Sequence, residues 1–291
     1  MKTVRSQSLG VGDRMRVFGI DFTSAPCRAK PIVRVSASLA RGVLRACDLT
    51  EWPSFGEFEQ ALRAPGPWIA GLDFPFGQPR QFVENIGWPH AWADYVQYAH
   101  ALGRAGFRRA LDDYRARRSA GDKEHRRATD AKAGAISPQK IHFPPVGLMF
   151  FEGAPRLVSA WVTVPGVYPG DPGRIAVEAY PGYLARRLIG RTTYKHDDRS
   201  KQTSAQSAAR TELLKRVRTD AALADYGLRV ELSTALGRQL VDDPAGDRLD
   251  ALLCAIQAGW SWMQRHDAFG APRKADPLEG WIADPGLQGI N

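Results

Sequence analysis

Two short apolar runs that each end in an aspartate constrain the fold of this chain more than any other feature. The first reads MRVFGID and ends at Asp21, and the second reads PWIAGLD and ends at Asp73. Short apolar runs bounded by turn-forming residues are typical of strands that are buried on both faces. Open α/β sheets build their sites just beyond the ends of such strands. The chain is therefore predicted to be an α/β protein with a site at these strand ends.

The segments around these runs predict the order of the remaining elements. Two β-branched runs follow the Asp21 strand closely, which predicts an antiparallel meander of three strands. A capping box at Ser54 predicts the helix that precedes the Asp73 strand. Further along, the patterns predict strands at about 157–164 and 174–180, helices at about 181–189 and 203–217, a short strand at LRVEL and a final helix at 247–266.

The region between 79 and 145 interrupts this rhythm and predicts a helical insertion after the fourth strand. Its second half, 119–145, is polar and poor in pattern, which is typical of a mobile loop over a site. Aromatic residues in the first half follow helical spacing, which favours core packing over a base-stacking platform; they are Trp88, Trp92, Tyr95 and Tyr98. We therefore expect one domain at 15–291, preceded by a disordered tail at 1–14.

Four acidic residues stand where an apolar strand ends or a helix begins. They are Asp21, Asp73, Glu178 in VEAYPGY, and Asp250 in GDRLDALLCA. Two carboxylates about 4 Å apart repel by roughly 4 kcal/mol at an effective dielectric constant of 20, so a cluster needs a cation. Carboxylates without His or Cys companions favour Mg²⁺ or Mn²⁺. Asp247 is a further candidate ligand, although its position after Pro-Ala-Gly favours an N-cap.

The order of these motifs resembles a family of predicted nucleases in the ribonuclease H-like superfamily, catalogued as domain of unknown function 429. The resemblance extends from Gly19 to about Trp260 and depends on GIDFTSA, GLDFPFG, E-A-Y-P and D-R-L-D-A-L-L-C-A. It implies a mixed sheet of three antiparallel strands and then parallel strands, flanked by helices. It also implies that Asp21, Asp73 and Asp250 occupy the acidic motif positions and that Glu178 occupies the E-x-Y-P position.

A carboxylate cluster of this kind predicts a nuclease that hydrolyses phosphodiester bonds with two metal ions. In this hypothesis Asp21 bridges the ions, Asp73 and Asp250 each complete one of them, and Glu178 ligates or orients the attacking water. Three alternatives remain open. They are a small phosphoester as substrate, a module of the same fold that binds nucleic acid or protein without catalysis, and an ATP-using phosphotransferase of the actin-like kind.

The positive charge of the chain is concentrated in two segments. Residues 101–140 contain eleven Lys or Arg against five Asp or Glu, and residues 186–218 contain ten against three. Such segments suit a nucleic acid, DNA or RNA, although solvated helix faces explain them equally well. The candidate phosphate-binding residues are Lys195, Arg199, Lys201, Arg210, Arg126 and Arg127.

Three scattered cysteines and the lack of a long apolar stretch bear on location. An odd number of cysteines without C-x-x-C spacing disfavours a disulfide framework. No stretch approaches the roughly 20 apolar residues that span a bilayer. We therefore expect a cytoplasmic protein that does not enter a membrane.

Overall fold

Seven strands form one mixed sheet in the computed structural model, which describes residues 14–289. Their bounds are Met15–Asp21 (β1), Ile32–Ala40 (β2), Val43–Trp52 (β3), Trp68–Asp73 (β4), Val162–Thr163 (β5), Asp171–Glu178 (β6) and Arg229–Glu231 (β7). The order across the sheet is β5-β6-β4-β1-β2-β3-β7. The pairs β1–β2 and β2–β3 are antiparallel, and the others are parallel. This confirms the predicted mixed α/β sheet with antiparallel strands followed by parallel ones.

Helices cover both faces of this sheet. Their bounds are Phe55–Arg63 (α1), Arg80–Ile86 (α2), Trp92–Ala101 (α3), Gly103–Ala116 (α4), Ala128–Ala133 (α5), Val146–Ser159 (α6), Pro181–Ile189 (α7), Ser204–Val217 (α8), Asp220–Tyr226 (α9), Thr234–Val241 (α10) and Asp247–Met263 (α11). One apolar cluster lies between the sheet and α7, α8, α10 and α11. A second lies on the opposite face, against α1 to α4 and α6. Among the helices of residues 14–289, none is both long and apolar enough to cross a membrane.

The region after β4 differs from its prediction in several elements. The expected strand at 157–164 was wrong over most of its length, because residues 157–159 end α6 and only Val162–Thr163 forms a strand. The helix α6 contains Gly153 and Pro155 and is buried on nearly all sides. Two helix-breaking residues and an almost continuous apolar run obscure the helical period. The helices α9 and α10 were not predicted either, and the tail at residues 1–13 lies outside the described residues.

The aromatic residues of the insertion belong mainly to the core, as expected. Trp88, Trp92 and Tyr95 are buried in the cluster against α3 and α6. Tyr98 is the exception, since 46% of its surface is exposed. The polar segment at 119–145 contains α5, whose Asp130 and Ala133 are buried. This segment therefore packs against the rest of the protein at α5.

The last helix lies directly against two glycines in the centre of the sheet. Gly19 on β1 and Gly71 on β4 are neighbours in the parallel pair. A Cβ atom on Gly19 would overlap the backbone of Ala251 and Ala255, and one on Gly71 would overlap the carbonyl oxygen of Cys254. Glycine at these positions therefore allows the backbone of α11 to approach the strands closely.

We expect Gly19→Ala to destabilise the fold by about 1–3 kcal/mol, because the added methyl group meets helix backbone that cannot move aside. Chemical unfolding in urea measures this change. Gly56→Ala is the matched control, since Gly56 lies exposed in α1 and its nearest neighbour to an added Cβ is the Ser54 hydroxyl at 3.7 Å. That control should raise stability by about 0.5–1 kcal/mol. Equal stability of Gly19→Ala and the wild type would contradict the close packing.

Candidate metal centre

The register of the sheet brings Asp21 and Asp73 side by side. They are paired residues at the ends of β1 and β4, two positions beyond Gly19 and Gly71. Side chains alternate along a strand, so both aspartates lie on the face that α11 covers. The first turn of α11 brings in Asp250. Oxygen atoms of Asp21, Asp73 and Asp250 lie within 4.8 Å of one another.

The three carboxylates differ in their hydrogen-bonding partners. Asp250 is fully buried, its Oδ1 accepts a hydrogen bond from the Tyr194 hydroxyl at 2.6 Å, and its Oδ2 pairs with the Lys195 ammonium. Asp21 is 5% exposed. Within residues 14–289, no donor makes a hydrogen bond to the carboxylates of Asp21 or Asp73. Asp73 is half-buried, and no oxygen of either side chain is among the fully enclosed polar atoms that lack a partner, so both carboxylates are accessible at the ends of their strands.

The electrostatics of the centre reflect this lack of partners. Burial, followed by the charge of Asp247, raises the pKa of Asp21 well above its ordinary value. Burial and the charge of Asp250 raise the pKa of Asp73 to about 7. Both shifts have the sign expected for carboxyl groups that lose water and face other carboxylates. A cation bound between them would remove the repulsion that raises both pKa values.

Asp247 takes a different position from the one expected. It is the first residue of α11, and Gly246 is the N-cap with φ of 78°, so the N-cap interpretation of Asp247 was wrong. Its Oδ1 accepts a hydrogen bond from the Lys30 ammonium at 2.7 Å. Lys30 also donates to Asp197 at 2.9 Å. Burial raises the pKa of Asp247, and the charge of Lys30 opposes that rise.

Glu178 lies on the other face of the sheet from the three aspartates. It pairs with Leu72 of β4, and Leu72 and Ala176 belong to the apolar cluster opposite α11. Its Oε1 accepts from Arg127 at 2.5 Å, and its Oε2 accepts from Arg127 at 2.7 Å and from the Phe76 amide at 2.9 Å. Burial raises the pKa of Glu178 and Arg127 opposes that rise. The structure therefore brings three of the four predicted acids together and gives the fourth a guanidinium partner.

Arg127 is held by two carboxylates at once. It is 1% exposed and donates to Asp130 at 2.8 Å from Nε and at 2.7 Å from Nη2, in addition to its bonds to Glu178. Such a bidentate arrangement needs the planar fork of arginine. Arg127, which lies in the insertion, thereby connects the insertion with Glu178 at the end of β6.

The six candidate phosphate-binding residues divide by exposure. Arg127 is buried as described, and Arg210 is buried with its guanidinium donating to the carbonyl oxygens of Val241 and Tyr194. Lys195 is 38% exposed at the edge of the carboxylate cluster. The remaining three are exposed on the surface; they are Arg126, Arg199 and Lys201.

Several residues around the carboxylate cluster are not indicated by any sequence pattern. Tyr194 and Lys30 contact the carboxylates from loops, and no local pattern marks either residue. A groove of about 360 Å³ next to Lys195 is lined by Arg186, Arg191, Thr192 and Thr193 as well. The high positive charge of residues 186–218 indicated this region without singling out these side chains.

The residues present fit a hard divalent cation. The grouped ligand atoms are all carboxylate oxygens. Cys254, one turn after Asp250 on α11, is fully buried and is not part of this group. Mg²⁺ and Mn²⁺ prefer such oxygen ligands, whereas Zn²⁺ prefers nitrogen and sulfur. Comparison of the chain with protein-family models, with curated proteins and with solved structures found no match.

Replacing Arg127 with alanine should destabilise the fold by about 3–5 kcal/mol, because Glu178 and Asp130 would remain buried without a partner. Urea unfolding measures the change. The adjacent Arg126→Ala is the matched control, since Arg126 is exposed and its loss should alter stability by less than about 0.5 kcal/mol. A similar small effect of both variants would mean that the guanidinium of Arg127 does not hold these carboxylates.

The raised pKa of Asp73 predicts that the metal-free protein loses stability as the pH rises from about 4 to about 7. With a folded pKa of about 7 and an ordinary value of 3.8, the folded state binds the proton more tightly than the unfolded state in between. Stability therefore falls across this window, by a few kcal/mol for this group alone. Asp73→Asn should flatten the fall.

Thermal unfolding in EDTA at several pH values tests this expectation. Asp113→Asn is the control, because Asp113 is an exposed acid on α4, and it should lose stability with pH as the wild type does. If Asp73→Asn and the wild type lose stability in parallel, the pKa of Asp73 is not raised by burial and by the neighbouring carboxylates.

Proposed function

We propose that this protein is a divalent-metal-dependent hydrolase of phosphodiester bonds, a nuclease, with its centre at Asp21, Asp73 and Asp250. One observation carries the proposal: the carboxylates of Asp21, which is buried, and Asp73, which is half-buried, accept no hydrogen bond from the described residues and lie with Asp250 in a group whose oxygens are within 4.8 Å of one another. Retaining such a repulsive arrangement is costly for the fold, and a metal ion offsets that cost. Mg²⁺ or Mn²⁺ is the proposed cofactor.

The topology supports a ribonuclease H-like assignment of the fold. Three antiparallel strands are followed by β4 and β6, which join β1 in parallel in the order β3-β2-β1-β4-β6. The resemblance to the predicted-nuclease family implies this arrangement, with acids at the ends of the first and fourth strands and in the last helix. The strands β5 and β7 extend the sheet at its two edges.

Each part of the centre has a proposed role. Asp21 and Asp73 would hold the ion with their free oxygens, and Asp250 would complete the set from α11. A divalent ion at this position lowers the pKa of a bound water and stabilises charge on a phosphoryl oxygen. Glu178 and Arg127 would fix the chain beyond β4 through the Phe76 amide, which positions Asp73.

The surroundings of the centre favour a polyanionic substrate. The groove next to Lys195 has arginine and threonine side chains along it. Exposed arginines and lysines can hold phosphate groups, arginine through two hydrogen bonds at once. Arg199, Lys201 and Arg126 provide further positive charge on the surface. We therefore propose nucleic acid, DNA or RNA, as the substrate.

Incubation of labelled single-stranded, duplex and hybrid nucleic acids with Mg²⁺ or Mn²⁺ tests the proposal. The wild type should give products that EDTA abolishes, and Asp21→Asn should lower the rate by at least about 100-fold, because a direct ligand matters more than an outer partner. Asp113→Asn, which removes an exposed carboxylate far along the sequence from the cluster, should cleave like the wild type.

Other outcomes would point to other activities. Salt-sensitive binding without cleavage, unchanged in Asp21→Asn, would replace the nuclease with a binding module. Hydrolysis of a small phosphoester alone would keep the chemistry and change the substrate. Transfer of the terminal phosphate of ATP, lost in Asp21→Asn, would favour the phosphotransferase.

A further inference from the structure

The charges around the metal centre do not balance for two divalent ions. Three carboxylates, those of Asp21, Asp73 and Asp250, form the cluster, and one ammonium group, that of Lys195, contacts it. Asp247 and Asp197 share the ammonium group of Lys30 beside it. Two negative charges are left within the cluster, which one divalent ion neutralises. The remaining acids nearby, Glu178 and Asp130, share Arg127 on the opposite face of the sheet.

The oxygens of Asp250 are already engaged by the protein. The Tyr194 hydroxyl donates to Oδ1 and the Lys195 ammonium contacts Oδ2. Asp21 and Asp73, in contrast, accept no hydrogen bond from the described residues. The carboxylate oxygens that remain available to an ion therefore lie at the ends of β1 and β4. On the side of α11, the ammonium of Lys195 already contacts Asp250.

Lys195 is held in this place by its surroundings. Its aliphatic chain lies against Gly246, where an added Cβ would come within 2.8 Å of the lysine Cβ and Cδ atoms. The guanidinium of Arg210 donates to the carbonyl oxygen of Tyr194 at 2.9 Å. The side chain of Gln206 donates to the carbonyl oxygen of Lys195 at 3.5 Å. These contacts fix the backbone and the aliphatic chain of Lys195, so its ammonium group is held in place beside Asp250.

We propose that the ammonium of Lys195 occupies one of the two cation positions of the centre, so that the protein binds a single divalent ion per chain. The inference depends on the metal site of the proposed function but not on its substrate. It replaces the two-ion arrangement that the sequence predicted. Lys195 thereby acts as a positioning residue that holds Asp250 and supplies a fixed positive charge.

Titration of the metal-free protein with Mn²⁺ tests the proposal without any reference to activity. Calorimetry should give one ion per wild-type chain, and electron paramagnetic resonance should show the spectrum of isolated Mn²⁺. Lys195→Met removes the charge and keeps the length, so it should bind two ions. Ions about 4 Å apart are coupled magnetically, and the spectrum of this variant should broaden accordingly.

Three further variants serve as controls. Lys201→Met removes an exposed lysine whose carboxylate partner is Asp198, at 3.6 Å, and it should bind one ion. Lys195→Arg retains the positive charge and should also bind one ion. Lys195→Gln, which keeps a hydrogen-bond donor for Asp250, replaces Lys195→Met if the latter does not fold, and it should bind two ions.

The outcomes separate this inference from the proposed nuclease activity. Two ions in the wild type, or one ion in both Lys195→Met and Lys195→Gln, would overturn it, as would no binding of Mn²⁺ at all. One ion in the wild type and two in Lys195→Met, without cleavage of any nucleic acid, would support it and remove the nuclease. Cleavage of nucleic acid by a wild type that binds two ions would support the nuclease activity and overturn the inference about Lys195.

Discussion

Close packing of α11 on Gly19 and Gly71 is the contact on which the candidate centre depends. The two glycines leave no side chain between the strands and the helix, so the helix backbone lies directly on the sheet. Two residues further along each strand, the carboxylates of Asp21 and Asp73 reach the first turn of the same helix. A larger residue at either glycine would lift the helix and separate Asp250 from its partners. In each G-x-D segment, the glycine therefore allows the close approach of α11 that brings the aspartate to Asp250.

The centre is stable only because its surroundings offset the repulsion among its acids. Lys30 and Lys195 contribute positive charge, and the buried cluster beneath α11 contributes apolar packing. On the opposite face, Arg127 pairs with both Glu178 and Asp130 and connects the insertion with the end of β6. The carboxylates on the two faces of the sheet thus differ in their hydrogen-bonding partners. On one face Glu178 and Asp130 share a guanidinium group, whereas on the other face Asp21 and Asp73 accept no hydrogen bond from the described residues.

The sequence predicted the strands that carry Asp21 and Asp73 because short apolar runs and turn residues are local signals. Asp250 followed from the periodicity of the last helix. Glu178 was grouped with these acids because it also ends a strand, but its face depends on the register between β4 and β6, which pairs it with Leu72 instead of Asp73. Tyr194 and Lys30 reach the centre from loops through tertiary contacts that no local pattern contains. Gly153 and Pro155 obscured α6 for a related reason, since burial on nearly all sides removed its helical period.

The two outermost strands of the sheet have a consequence for the behaviour of the protein at high concentration. The strand β5 contains two residues and β7 contains three. Unpaired backbone at the edge of a sheet is a template for another chain, and long, flat edges promote aggregation. The strand β7 pairs only with residues 43–45 of β3, so no strand lies beside residues 46–52 in the part of the chain that the structure describes. Asp48 and Glu51 are exposed along this stretch, and a β-bulge interrupts the pairing of β3 with β2. Charged side chains and bulges at a sheet edge disfavour pairing with another chain, so self-association through this edge is disfavoured.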